Sequence, residues 1–276
     1  MKIHGRKVFV GIAALVIFLL LMAFPFGPLL PWSPVKPGYN SVSYARADVY
    51  FNRDEKLPDD YRQVDQMITD AESFHHLKFN KRVKVIACKN WGDCQRSWFW
   101  MNVKPLGGIT LATGDVVYIT PKLKERNFSI AEFLRHELSH AVISQNISIR
   151  NSLKLTDQGW FSEGLAVSFG DQKAYLSQEE FIAKTKSTDL AKYIDPAQMD
   201  RNAADWSARF AYPAQRYFLE YLKRKYGEDR FQNFTLKYIH APDDYQKQFT
   251  EVFGQTLADA IRQFEQAVKS GQWPPQ

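Results

Sequence analysis

Between Ile130 and Val142 the apolar residues Ile130, Leu134, Leu138, Ala141 and Val142 recur at a helical period. Ser129-Ile130-Ala131-Glu132 fits a capping box, in which a hydroxyl and a carboxylate satisfy free amides at a helix start. The spacing therefore predicts one helix whose polar side carries RHELSHAVISQ. Upstream, Tyr61, Val64, Ile68, Ala71 and Phe74 give a second helical period within Asp60 to Phe79. Three short apolar runs read as strands: Val83 to Cys88, Ile109 to Ala112 and Val116 to Thr120. The turn signal Thr113-Gly114-Asp115 separates the last two, and Pro121 ends the third.

Downstream the pattern is helical throughout. A short helix is expected from Trp160 to Phe169, stopped by Gly170. Pro213 to Tyr226 has proline near its first turn and Gly227 after its end. Another helix follows Glu228, and a last one runs from about Leu257 to Lys269 with Leu257, Ile261, Phe264 and Val268 on one side. The order is helix, strands, motif helix, then helices, which predicts one α+β domain with a helical C-terminal portion.

The first thirty residues follow another rule. Lys2, Arg6 and Lys7 precede an uncharged run from Val8 to Leu30. Its length matches a membrane-spanning helix, and the charge asymmetry predicts a cytoplasmic tail at 1–7, an anchor at 8–30 and an exported remainder. The rival is a cleaved signal peptide, but the nearby Ala45-Arg46-Ala47 lies far beyond the apolar run. PWSPVKPGYN opens a linker expected over 31–47, and the domain is expected over 48–276.

Composition adds little: 45% hydrophobic and 24% charged residues are ordinary for a globular protein. The net charge of +6 owes half its excess to the N-terminal tail, so no nucleic-acid partner is expected. Cys88 and Cys94, in CKNWGDC, either close a short disulfide on the exported side or remain two thiols; their spacing does not suit zinc.

The candidate chemistry lies in the motif helix. Residues i and i+4 are neighbours on a helix, so His136 and His140 can aim at one point with Glu137 beside them. H-E-x-x-H on a helix is a zinc arrangement for that reason, although a pentapeptide can arise by chance. A catalytic zinc site needs a third protein ligand and keeps a position for water. Glu163 lies inside the apolar stretch WFSEGLAV, 23 residues after His140, and a carboxylate there needs either a metal or an Arg or Lys partner.

HELSH followed by WFSEGLA resembles the gluzincin metallopeptidases, specifically the peptidase MA-like family, with the match extending over about Val116 to Lys269. The resemblance implies a thermolysin-like zincin domain with a small N-terminal sheet, a motif helix and a helical C-terminal portion. It implies a Zn2+-dependent peptidase acting on a peptide or protein substrate. By the matched positions His136, His140 and Glu163 would be ligands and Glu137 the base that takes a proton from a metal-activated water. Many members carry an acid four residues after the glutamate ligand; here that residue is Val167.

The carbonyl oxygen of the cleaved bond needs one further donor, for which Tyr212 and His240 are candidates. His75-His76 are read as partly exposed surface residues, since adjacent helical residues diverge. Gly107-Gly108-Ile109-Thr110 is either an edge that admits another backbone or a simple turn. The expected protein is thus a single-pass membrane metallopeptidase with its C-terminal domain in the periplasm or outside the cell. The alternatives are a degenerate zincin-fold protein that binds a partner without turnover, and a non-enzymatic membrane-tethered protein.

Overall fold

The computed structural model describes residues 29–90, 107–125, 128–172, 175–201 and 206–273, with Ile12, Leu15, Phe18, Gly92 and Cys94 as isolated positions. The anchor expected over 8–30 falls almost wholly outside the described residues. Among the described residues no helix is long and apolar enough to cross a membrane. The chain forms two compact units.

The first unit comprises Met1–Asp65, Arg82–Ile109 and Val116–Phe128 and holds a five-stranded sheet. The strands are β1 (Tyr39–Ser43), β2 (Ala47–Asn52), β3 (Val83–Ala87), β4 (Gly108–Thr110) and β5 (Val116–Ile119), in the order β1-β2-β3-β5-β4. β1 pairs antiparallel with β2, while β2–β3 and β3–β5 are parallel. The central strands are apolar because both faces are covered: all four residues of β5 are buried, as are Val83, Val85 and Ile86 of β3. The sheet begins earlier than expected, since β1 lies inside the stretch read as a linker. Its edge position explains this, because nearly every residue of β1 is exposed and shows no alternation. Arg82 joins the start of β3 to β2, donating from Nε to Asp48 at 2.9 Å and from Nη1 to the Ala45 carbonyl at 2.8 Å. Cys88 and Cys94 form a disulfide, with Cα atoms 5.6 Å apart.

The second unit comprises Gln66–Lys81, Thr110–Asp115 and Ser129–Gln276. Its helices of eight residues or more are α1 (Val64–His75, from Gln66 onward in this unit), α2 (Ile130–Gln145), α3 (Ile149–Gln158), α4 (Trp160–Gly170) and α5 (Gln178–Thr185). They continue with α6 (Ala208–Tyr226), α7 (Glu228–His240), α8 (Tyr245–Phe253) and α9 (Leu257–Lys269). α1 stops at His75 rather than Phe79, because the next residue, His76, takes a left-handed φ of 53°. α6 begins five residues ahead of Pro213, at Ala208, so the proline sits inside it. Helices α3, α5 and α8 were not expected from the apolar pattern.

α4 packs against α2 on one side and α6 on the other. Gly164, next in sequence to Glu163, permits the second contact: a Cβ there would stand 2.9 Å from Leu219 Cδ1 and 3.0 Å from the Gln215 carbonyl oxygen. The core behind α4 is aromatic. Trp160, Phe161, Phe218, Phe234, Tyr238, Phe249 and Phe264 are all fully buried, and Phe161 meets Trp160, Phe234 and Tyr238 edge-on. Such edge-to-face pairs add about 0.5–1.5 kcal/mol beyond the area they bury. The helix that presents Glu163 is thereby seated on a rigid floor.

Candidate metal centre

α2 starts where its sequence says: the Ser129 hydroxyl accepts the Glu132 N–H at 3.2 Å. Leu134, Leu138, Ala141 and Val142 are fully buried, which fixes the rotation of the helix. His136 and His140 then project one turn apart, with their Nε2 atoms 3.2 Å from each other. Glu163 reaches them from α4, its Oε2 3.4 Å from His136 Nε2 and its Oε1 3.7 Å from His140 Nε2. Donor atoms of these three residues all lie within 4.8 Å of one another.

These distances match the requirement of a metal. A tetrahedral ion with bonds of about 2.1 Å has ligand atoms about 3.4 Å apart. Two imidazole nitrogens and one carboxylate oxygen are also the donor types that zinc takes. The group can hold a metal ion. The three groups are electrostatically coupled: burial works to raise the Glu163 carboxyl, but the charges and hydrogen bonds of His140 and His136 outweigh it and hold Glu163 well below the usual range. Burial likewise works to lower His140, and the carboxylate of Glu163 reverses it and raises His140. Among the described residues no Arg or Lys lies within ion-pair distance of Glu163; its partners there are His136 and His140.

Glu137 is 4% exposed and stands apart from this triad. The Thr110 hydroxyl lies 2.8 Å from its Oε2 and 2.9 Å from its backbone carbonyl. Burial raises the Glu137 carboxyl, partly offset by His136, His140 and the Thr110 hydrogen bond. The segment that follows Thr110 is also tied to α2, at Gly114. Gly114, at φ +69°, brings its carbonyl within 2.9 Å of Gln145 Nε2 at the far end of α2. A Cβ at this glycine would lie 2.6 Å from the Ala141 carbonyl, so no other residue fits.

Tyr212 flanks the centre, its ring stacked on His136 with centroids 6.5 Å apart. Tyr175 packs edge-on against Tyr212 at 5.3 Å. Burial, followed by the negative charge of Glu163, raises both phenols, so both keep their proton to donate. His240 makes no such contact: it is exposed at the end of α7, where its carbonyl accepts from Asn151 at 2.6 Å.

The expectation for His75 is corrected. His75 is 2% exposed rather than on the surface, and its Nε2 lies 2.8 Å from the hydroxyl of Ser139, the residue before His140. α1 delivers it there at its last residue, while His76 turns outward into solvent. Burial, then the neighbouring His140 and His76, pushes the imidazole down to about 3, so it is neutral at neutral pH. Arg135 makes a parallel tie: its guanidinium stacks on Phe169, donates to the Phe169 carbonyl at 3.2 Å and pairs with Asp70 at 2.8 Å. Thr110 and His75 carry no local signal of these roles, because their partners Glu137 and Ser139 lie far along the chain, and Tyr175 meets Tyr212 only through the fold.

No family model matches the sequence, and no curated protein matches it. Among solved structures, a two-domain M1 zinc metallopeptidase variant bound to L-tryptophan is similar, at 14% identity and a TM-score of 0.44, over 86% of this chain and 52% of that one. An M1 zinc metallopeptidase from Deinococcus radiodurans is similar at 13% identity and a TM-score of 0.43, over 86% of this chain and 51% of that one. The chain spans about half the length of these structures. Likeness at this level carries no weight for function, which is carried instead by the geometry of the three donor groups.

Proposed function

We propose that this chain is a zinc-dependent peptidase in which His136, His140 and Glu163 hold the metal. The observation that carries the reading is the convergence of their donor atoms within 4.8 Å, with a separate buried carboxylate beside them. Zinc held there would supply a Lewis acid for a peptide carbonyl and bring a water's pKa down toward about 7. Glu137 is the general base. Its raised carboxyl is better matched to proton transfer near neutral pH than an exposed glutamate would be. It accepts the proton of the attacking water and returns it to the leaving amine. Tyr212, protonated and stacked on His136, donates to the carbonyl oxygen as it gains charge. Thr110 keeps the base oriented.

A second reading, a zincin-like protein that binds without turnover, draws on one observation: His136 Nδ1 is buried with no hydrogen-bond partner. Substitution separates the two. In Glu137→Gln, zinc should remain while cleavage of a peptide-library substrate falls roughly 100-fold or more. Equal cleavage by wild type and Glu137→Gln would remove Glu137 from the mechanism, and no cleavage by zinc-loaded wild type would favour the second reading.

We further infer a single-pass anchor at 8–30 with the remainder exported, from Lys2, Arg6 and Lys7 ahead of the apolar run. The intact protein should then sediment with membranes; a soluble form starting at Asp48 would show cleavage after Ala47 instead.

A further inference from the structure

A histidine that binds a metal through Nε2 carries its proton on Nδ1, and that proton needs an acceptor to hold the ring and its tautomer. His136 directs Nε2 toward His140 and Glu163. Its Nδ1 is buried and unpartnered. The residue one turn beyond Glu163 on α4 is Val167, which is 1% exposed and offers no acceptor in its side chain.

A second orphan lies beside the first. Gln172 is 4% exposed, and neither its Oε1 nor its Nε2 has a hydrogen-bond partner. Among the described residues it is the one buried side chain with both polar ends unmatched. Gly170 shows how near the two are: a methyl group built there would stand 3.1 Å from Gln172 Cγ and 3.4 Å from His136 Cβ. Both side chains thus pack closely around Gly170, where the Glu132 carbonyl, 2.9 Å from the same point, leaves no room for a methyl group. A buried donor and a buried acceptor, each costly alone, are complementary as a pair.

We propose that the Gln172 side-chain oxygen accepts the proton of His136 Nδ1 and that Gln172 is a positioning residue for the metal centre. The pairing fixes the tautomer that leaves Nε2 for the metal and holds the ring in register with Glu163. It rests on the metal reading of His136, which the experiment below tests separately. A carboxamide is a weaker, uncharged acceptor than a carboxylate, so it makes the imidazole a less basic ligand than an acid would.

The test is zinc affinity of the full-length chain by chelator competition, comparing wild type with Gln172→Leu and Gln172→Glu. Loss of such a partner typically weakens metal binding 10–100-fold. Gln172→Leu should fall in that range, and Gln172→Glu, which keeps an acceptor, should bind at least as tightly as wild type. Gln172→Leu at wild-type affinity would overturn the inference, as would equal losses in both variants, which would mark Gln172 as packing only. If wild type itself binds no zinc, the metal reading fails rather than this one. Should Gln172→Leu not fold, the zinc-loaded wild type decides by 1H–15N spectroscopy of its imidazoles. A slowly exchanging His136 Nδ1 proton supports the pairing, and a rapidly exchanging one overturns it.

Discussion

Replacing Thr110 by valine removes one hydroxyl from the base and little else. That hydroxyl is 2.8 Å from Glu137 Oε2. A hydrogen bond to a charged group contributes about 1.5–3 kcal/mol, which would correspond to roughly one to two pKa units. The geometry argues for the lower end. The same hydroxyl also lies 2.9 Å from the Glu137 carbonyl, so when the carboxyl is protonated Thr110 can turn its proton to that carbonyl and accept from the acid. It serves both protonation states and favours the ionised one by only part of its full strength. The donor lowers the Glu137 carboxyl, so its loss raises that group further. The base is then ionised only at higher pH, and activity is lost on the acid side. In Thr110→Val the acid limb of the kcat/KM profile should move up by about one unit, with a smaller loss on the alkaline plateau. Thr110→Ser should stay within about 0.3 unit of wild type. A folded Thr110→Val with an unmoved acid limb would refute the reasoning, as would Thr110→Ser shifting as far as valine.

Three further outcomes are expected. His75 is held neutral with its pKa near 3 against about 6.5 unfolded. Between those values the unfolded state binds the extra proton, so stability is full above about pH 6.5 and declines as pH falls; wild type should lose about 2 kcal/mol more than His75→Gln between pH 6.5 and 5, by urea unfolding of zinc-free protein, and equal losses would contradict this. Gly164→Ala drives a methyl to about 3 Å from the α6 backbone, so it should destabilise by about 1–3 kcal/mol and weaken zinc binding by moving Glu163; a neutral effect on both would show that α4 and α6 can separate freely. Reducing Cys88–Cys94, which closes a short loop, should cost about 2 kcal/mol, and thiol reagents should label neither cysteine in denatured, unreduced protein.

The helix carrying HELSH was legible from its start signal, Ser129, and its buried apolar face, and the helix carrying Glu163 from its buried apolar run, Trp160 to Phe169. β1 was not legible, since an edge strand with four exposed residues of five shows no alternation. α3 was hidden for a related reason: Ile149 and Leu153, its most evident apolar pair, point into solvent at 55% and 53% exposure. The surroundings of the centre escaped because they are tertiary. Thr110 lies 27 residues from Glu137, and His75 lies 64 from Ser139. No window of sequence joins such pairs. Adjacent His75 and His76 look alike in the chain, yet the end of α1 sends one inward and the other out.

The central claim is that three side chains from two helices bind one zinc ion. Its most direct measurement is metal content of the purified full-length protein, by inductively coupled plasma mass spectrometry after loosely bound metal is removed, for wild type and Glu163→Ala. Wild type should carry one zinc per chain and Glu163→Ala should lose it, because two imidazoles alone make a weak site. A folded wild type without zinc would contradict the account outright, and one full equivalent retained by Glu163→Ala would remove the third ligand from it.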